Sequence, residues 1–138
     1  HAAGRQAARR QAARGHAAQE VNVTTRVEKP WGHELIWART DRYVGKVLHI
    51  KAGEALSLQY HRQKDETVMV LRGRMRFEHF ADGEAPQATE LAPMQPFHIA
   101  PGLRHRMIAL EDTDVVEVST PELDDVVRLE DRYGRSGT

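Results

Sequence analysis

The sequence contains no cysteine, which excludes disulfides and thiolate ligands together. Any metal bound by this chain must therefore be held through nitrogen and oxygen. There is no run of about 18 apolar residues, so a membrane-spanning helix is excluded. No apolar stretch follows the basic N-terminus, and a secretory signal is not expected. An excess of one charge is missing too, because 20 lysines and arginines balance 20 aspartates and glutamates. That balance gives no general reason to expect nucleic acid or a membrane surface as partner. Nor is there a glycine-rich phosphate loop. What is present, 138 residues with 40% hydrophobic and 29% charged, suits one soluble domain with one core. The lack of cysteine is compatible with the cytoplasm, which is the expected location.

Residues 1–20 differ from the rest. They are mostly alanine, arginine and glutamine, with Arg5, Arg9, Arg10 and Arg14 and no large apolar residue before Val21. A disordered or weakly helical tail is expected there, with a single domain over 21–138. From Val21 the texture becomes short β-like runs separated by turn residues. Strands are expected at Val44–Ile50, Leu56–His61, Thr67–Arg72, Met75–Phe80, Phe97–Ile99, Arg106–Leu110 and Val115–Ser119. Glycine turns at Gly53, Gly73, Gly83 and Gly102 punctuate them. Near the C-terminus, Pro121 to Asp131 reads as a short helical segment capped by Thr120. Many short strands without an internal repeat imply an all-β sandwich or barrel.

The chemistry lies in the strand Leu56-Ser57-Leu58-Gln59-Tyr60-His61. Side chains alternate along a strand, so Gln59 and His61 share one face and can reach a common point. Glu66 follows after a turn-like tetrapeptide, where a hairpin returns it beside His61. His105 follows the turn Ala100-Pro101-Gly102, from which a later strand can deliver it to the same pocket. An amide oxygen, two imidazoles and a carboxylate suit one divalent ion, whether zinc, iron, manganese or cobalt. Each residue alone has an ordinary structural role open to it; the ensemble makes the case.

The ensemble resembles the cupin superfamily. Its first motif is matched by Gly53, Gln59-Tyr60-His61, Glu66 and Gly73, and its second by Pro101-Gly102-Leu103-Arg104-His105. Two positions depart from the pattern: Ala100 replaces the first proline, and Met94 stands where the motif has its earlier glycine. Histidine is commonest at the first ligand position, where this chain has Gln59. The chain further resembles the C-terminal isomerase domain of type II mannose-6-phosphate isomerases and their free-standing small relatives. The matching stretches are Lys29-Pro30-Trp31-Gly32, Lys46, Leu56 to His61, His105-Arg106 and the ending Asp125 to Arg135.

The resemblance implies a single cupin barrel (a double-stranded β-helix or jelly roll) and metal-dependent aldose–ketose isomerisation of a sugar phosphate. The substrate class would be that of mannose 6-phosphate, within carbohydrate metabolism. The metal ligands would be Gln59, His61, Glu66 and His105. Lys46 and Arg106 are expected to contact substrate or handle protons, while Lys64 and Arg104 are candidates for holding the phosphate. The base is left open between Lys46, Glu117 and a metal-bound hydroxide. His79 and His98 could line the barrel. Trp31, Trp37 and Tyr43 are expected in core or interface packing; Arg128, Asp131 and Arg135 either form a charged cluster closing the barrel mouth or, the favoured role, fix the C-terminal tail. Exposed sheet edges lead to the expectation of a homodimer. Two other functions fit a cupin site: an iron-dependent dioxygenase, and a non-catalytic sugar-binding module.

Overall fold

A computed structural model describes residues 23–137, so the expected tail over residues 1–20 lies outside the described residues. Eleven strands follow one another, and no helix occurs among the described residues. They are β1 Thr25–Lys29, β2 Gly32–Arg39, β3 Val44–Ile50, β4 Leu58–Tyr60, β5 Glu66–Arg72 and β6 Met75–Phe80, then β7 Gln87–Leu91, β8 Pro96–Ile99, β9 Arg104–Ala109, β10 Thr113–Ser119 and β11 Val127–Glu130. All pair antiparallel, in a six-stranded sheet ordered β1-β2-β3-β10-β5-β8 and a five-stranded sheet ordered β11-β4-β9-β6-β7. Since no described helix is long and apolar enough to cross a membrane, none of these residues forms a spanning helix.

Alternation explains how the two sheets close on each other. Along β3, Val44, Lys46, Leu48 and Ile50 point inward, while Val47 and His49 lie on the outer face and are only partly buried. Along β5, Glu66, Val68 and Val70 point inward, and along β10 Thr113, Val115, Glu117 and Ser119 do so. The inward apolar residues meet Met75 and Phe77 of β6 and Met107 of β9 in one buried core. That core fills one end of the barrel. At the other end the same inward positions carry charged side chains, and the barrel holds its polar cavity there.

Two backbone positions show why the connections take their residues. Lys29 pairs with Gly32 across the two-residue turn Pro30-Trp31. Gly32 has φ of 152°, and a Cβ there would lie 1.9 Å from the carbonyl oxygen of His49, so only glycine fits. Met94 has φ of 68°, a left-handed conformation, in the turn closed by Gln95 N–H donating to Ala92 O at 3.1 Å. This is the third position of a turn that normally takes glycine, and it is the place where the cupin motif has its earlier glycine.

The C-terminal segment differs from the expected helix. Pro121–Val126 forms tight turns, and β11 then pairs with β4, joining Val127 to Tyr60 and Arg128 to Gln59. The free edge of β4 needs hydrogen-bond partners, and the β-branched pair Val126-Val127 suits a strand. Thr120 does not cap a helix; its hydroxyl accepts from the backbone N–H of Asp65 at 3.0 Å.

Candidate metal centre and its cavity

His61, Glu66 and His105 come together from three segments: the end of β4, the start of β5 and the start of β9. Their ligand atoms lie within 4.8 Å of one another, and all three side chains are buried. Glu66 Oε1 sits 3.2 Å from His61 Nε2 and 3.5 Å from His105 Nε2. The far ring nitrogens are committed elsewhere. His61 Nδ1–H donates to the carbonyl of Asp125 at 2.5 Å, and His105 Nδ1–H donates to that of Leu103 at 2.9 Å. Those bonds assign the tautomer in which each Nε2 presents a lone pair toward Glu66. Burial lowers the His105 pKa to about 4, which keeps the imidazole neutral and fit to ligate.

The donor set itself tests the fit of a metal. The buried Nε2 of His105 has no hydrogen-bond partner among the described residues, although a buried donor or acceptor left unsatisfied costs about 1–3 kcal/mol. Two imidazole lone pairs and a carboxylate oxygen facing one point repel without a cation between them. A divalent ion taking nitrogen and oxygen ligands fits these residues. Gln59 lies directly opposite His105 across β4 and β9, on the same inward face. Its Oε1 accepts from Ser57 Oγ at 2.6 Å, which orients the amide and leaves a second lone pair free.

Above this group runs a chain of alternating buried charges. Lys64 Nζ donates to Glu117 Oε2 at 3.1 Å and lies 2.9 Å from Glu66 Oε2, off the line of a hydrogen bond. Glu117 stands opposite Lys46 across β10 and β3. Lys46 Nζ in turn donates to Glu34 Oε2 at 2.8 Å, and Lys29 lies 3.4 Å from Glu34 Oε1. Burial would raise the Glu66 carboxyl, but the neighbouring His61 imidazole and the Lys64 charge overcome it and hold Glu66 well below the usual carboxylate range. For Lys64 burial opposes the charge, yet Glu117 and Glu66 outweigh it and raise its pKa. Burial, followed by the charge of Glu66, pushes Glu117 up to about 7. The cavity that Lys29, Glu34, Lys46, Lys64 and Glu117 line encloses about 90 Å³, room for several waters or the reacting end of a small ligand.

The structure brings Lys46 and Lys64 to this cavity together with Gln59 and His61. It does not bring Arg104 or Arg106 there, in contrast to the roles expected for them. Both flank the inward His105 on β9, so alternation turns them to the outer face. Arg104 stacks over the Tyr60 ring at 4.4 Å, and Arg106 donates to the carbonyl of Glu130 at 3.2 Å. Sequence adjacency to an inward ligand on a strand is itself the reason these neighbours point away. His79 faces inward in register with His105, whereas His98 pairs with Asp65 at 2.6 Å on the outside. Trp31 is buried in the core and lines the cavity, while Trp37 covers Gly45 on the outer face.

Two site residues escaped sequence reasoning. Glu34 was hidden because it reads as a polar break in an apolar strand, although its parity with Ile36 turns it inward. Asp125 organises the ligand loop. Its carboxylate accepts the backbone N–H groups of Arg62, Gln63 and Lys64 at 3.0, 2.6 and 2.8 Å, while its carbonyl holds His61.

The family model described as the mannose-6-phosphate isomerase C-terminal domain matches residues 16–131. This chain belongs to that family. It is a cupin, and its solved neighbours share the fold. The capsular polysaccharide assembling protein CapF of Staphylococcus aureus superposes with a TM-score of 0.66 at 20% identity, over 79% of this chain and 33% of that one. KdgF of Halomonas superposes at 0.62 with 22% identity, over 72% of this chain and 90% of its own. Among curated relatives, the mannose-1-phosphate guanylyltransferase ManC of Salmonella typhimurium is 34% identical over 84% of this chain and 24% of its own length. The xanthan biosynthesis protein XanB of Xanthomonas campestris is 32% identical over 85% and 25%. This family member thus spans about a quarter of the length of the curated relatives it matches.

Proposed function

We propose that this barrel is a metal-dependent aldose–ketose isomerase acting on a sugar phosphate of the mannose 6-phosphate type. The observation that carries the reading is the convergence of His61 Nε2, Glu66 Oε1 and His105 Nε2 beneath the cavity that Lys46, Lys64 and Glu117 line. Membership of the mannose-6-phosphate isomerase C-terminal family supports the choice of reaction.

In this reading His61, Glu66 and His105, with the Gln59 amide oxygen, hold one divalent ion of zinc, iron, manganese or cobalt. Such an ion polarises a substrate carbonyl and stabilises the charge that develops on its oxygen. The protein supplies the rest. Isomerisation moves a proton between C1 and C2 of the open-chain sugar and a second one between the two oxygens. Lys46 and Glu117 lie side by side on adjacent strands and both line the cavity, and in this reading they carry those protons. Lys64, held between Glu66 and Glu117, would offset part of the negative charge at this end of the cavity. The buried Trp31 and Leu48 exclude water from one wall.

The reading includes a homodimer, supported by Trp37, Leu71 and Val118, which lie 42–50% exposed on the outer face of the six-stranded sheet. A monomer in analytical ultracentrifugation at micromolar concentration removes that part.

The test of the reaction is incubation of mannose 6-phosphate with the protein in deuterium oxide, with zinc, cobalt or manganese added. Fructose 6-phosphate, with deuterium entering at the carbon that exchanges, is the expected result. If none of the metals yields ketose, the isomerase reading is withdrawn; oxygen uptake with iron then tests a dioxygenase.

A further inference from the structure

The cavity has a cationic mouth as well as a ligand-bearing floor, and one cation in that mouth has no partner among the described residues. Arg128 of β11 stands directly opposite Gln59, which stands directly opposite His105. The three therefore form one cross-strand row on the inward face. Two strand spacings separate Arg128 from His105, about 10 Å, comparable with the length of an extended hexose phosphate. The backbone of Arg128 is tied on both sides. It pairs with Gln59 on one edge, and its N–H and carbonyl each bond Gly137 at 2.8 Å on the other.

The other cations of the cavity each have a carboxylate partner. Lys29 and Lys46 share Glu34, Lys64 lies between Glu66 and Glu117, and Arg135 makes a two-point contact with Asp131 at 2.9 and 3.1 Å. Arg128 makes no side-chain hydrogen bond or ion pair among the described residues, and its buried Nε has no hydrogen-bond partner among them. A guanidinium that lines a cavity and is left without a carboxylate is arranged to receive an anion from outside. Its planar fork matches the paired oxygens of a phosphomonoester, and Lys29 and Arg135 line the same cavity.

We propose that Arg128, flanked by Lys29 and Arg135, is the phosphate subsite of this cavity, so that a sugar phosphate lies along the row Arg128–Gln59–His105 with its reacting carbons at the His105 end. The assignment rests on the sugar-phosphate reading above and replaces Lys64 and Arg104 as phosphate ligands. Lys64 is committed to two carboxylates, and Arg104 faces the outside.

The experiment is calorimetric titration of the full chain and of Arg128→Gln with mannose 6-phosphate, mannose and inorganic phosphate, alongside turnover and metal content. The wild type should prefer mannose 6-phosphate to mannose and should bind inorganic phosphate. In Arg128→Gln the sugar phosphate should bind about 10- to 100-fold more weakly, the loss of one charge-assisted contact, with metal content unchanged. Arg128→Lys, which keeps the charge but not the fork, should fall between the two, and it decides the matter if the glutamine variant does not fold. A full phosphate preference in the folded variant, or no preference in the wild type, overturns the subsite. Binding with that preference but without ketose formation overturns the isomerase reading and leaves the subsite standing. Turnover with an unchanged KM in Arg128→Gln does the reverse.

Discussion

Replacing Lys64 by methionine probes the electrostatics of the whole site. Lys64 is 5% exposed and is the only cation within ion-pair distance of both Glu66 and Glu117 among the described residues. Its removal leaves two buried carboxylates close together without compensation. Breaking a buried ion pair from one side costs about 3–5 kcal/mol. In a domain of this size 1 kcal/mol moves the melting temperature by roughly 4 °C, so the Lys64→Met variant should melt roughly 12–20 °C lower. The assay is thermal unfolding of chelator-treated protein, which keeps bound metal from masking the repulsion. Removing one of the stranded charges should then restore part of the loss. Lys64→Met combined with Glu117→Gln should be more stable than Lys64→Met alone, and the two changes should be non-additive by about 1–3 kcal/mol. A fall of under about 3 °C for Lys64→Met, or strict additivity in the double variant, would refute the alternating-charge account.

Three further outcomes follow from the same geometry. His105→Ala should abolish tight metal binding yet leave a folded barrel, measured by elemental analysis beside circular dichroism; unchanged metal content contradicts the proposed centre. Burial raises the Glu34 carboxyl, but Lys46 and then Lys29 overcome it, so its folded pKa lies below the ordinary 4.5. Its contribution to stability is therefore complete above pH 4.5 and is lost as pH falls through the lower folded value. Glu34→Gln should be less stable than wild type near pH 7, and the gap should narrow in that acid range; a gap independent of pH refutes the pairing. Met94→Gly should raise stability by about 0.5–1 kcal/mol, because the left-handed φ of 68° strains any side chain and Met94 is 64% exposed. Denaturant unfolding that shows no gain refutes that reading of the turn.

What the sequence revealed followed the apolar content of each strand and the turn residues that bound it. Val44–Ile50 and Met75–Phe80 coincide with β3 and β6, and the strands expected at Thr67, Phe97 and Val115 needed only one or two more residues at their starts. Those strands are short runs rich in β-branched, aliphatic and aromatic residues bounded by turn residues, which marks a strand without showing which face is inward. The strands that escaped are of another kind. β7, Gln87–Leu91, is an edge strand whose first four residues are exposed, so no apolar stripe marks it. β2 was obscured because its inward positions include Glu34, and β1 is the edge strand beside it. The C-terminal segment has the spacing of a helical turn, but the unpaired edge of β4 drew it into the sheet as β11.

The candidate site divides in the same way. His61, Glu66 and His105 were legible because motif spacing and strand parity agree on them, and the structure brings their ligand atoms together. Arg104 was drawn in by adjacency to His105 and Arg106 by the resemblance of His105-Arg106 to the family's pair, and the pleat turns both outward. Asp125 escaped because its role is exercised through the backbone of a loop more than sixty residues away, a contact that no local pattern encodes.

The most direct test of the metal-centre account is elemental analysis of the purified protein, paired with mannose 6-phosphate and fructose 6-phosphate interconversion before and after chelation. The account requires about one zinc, iron, manganese or cobalt ion per chain, and turnover that is lost with the metal and returns with it. Protein free of bound metal, or interconversion that survives complete removal of the ion, would contradict it.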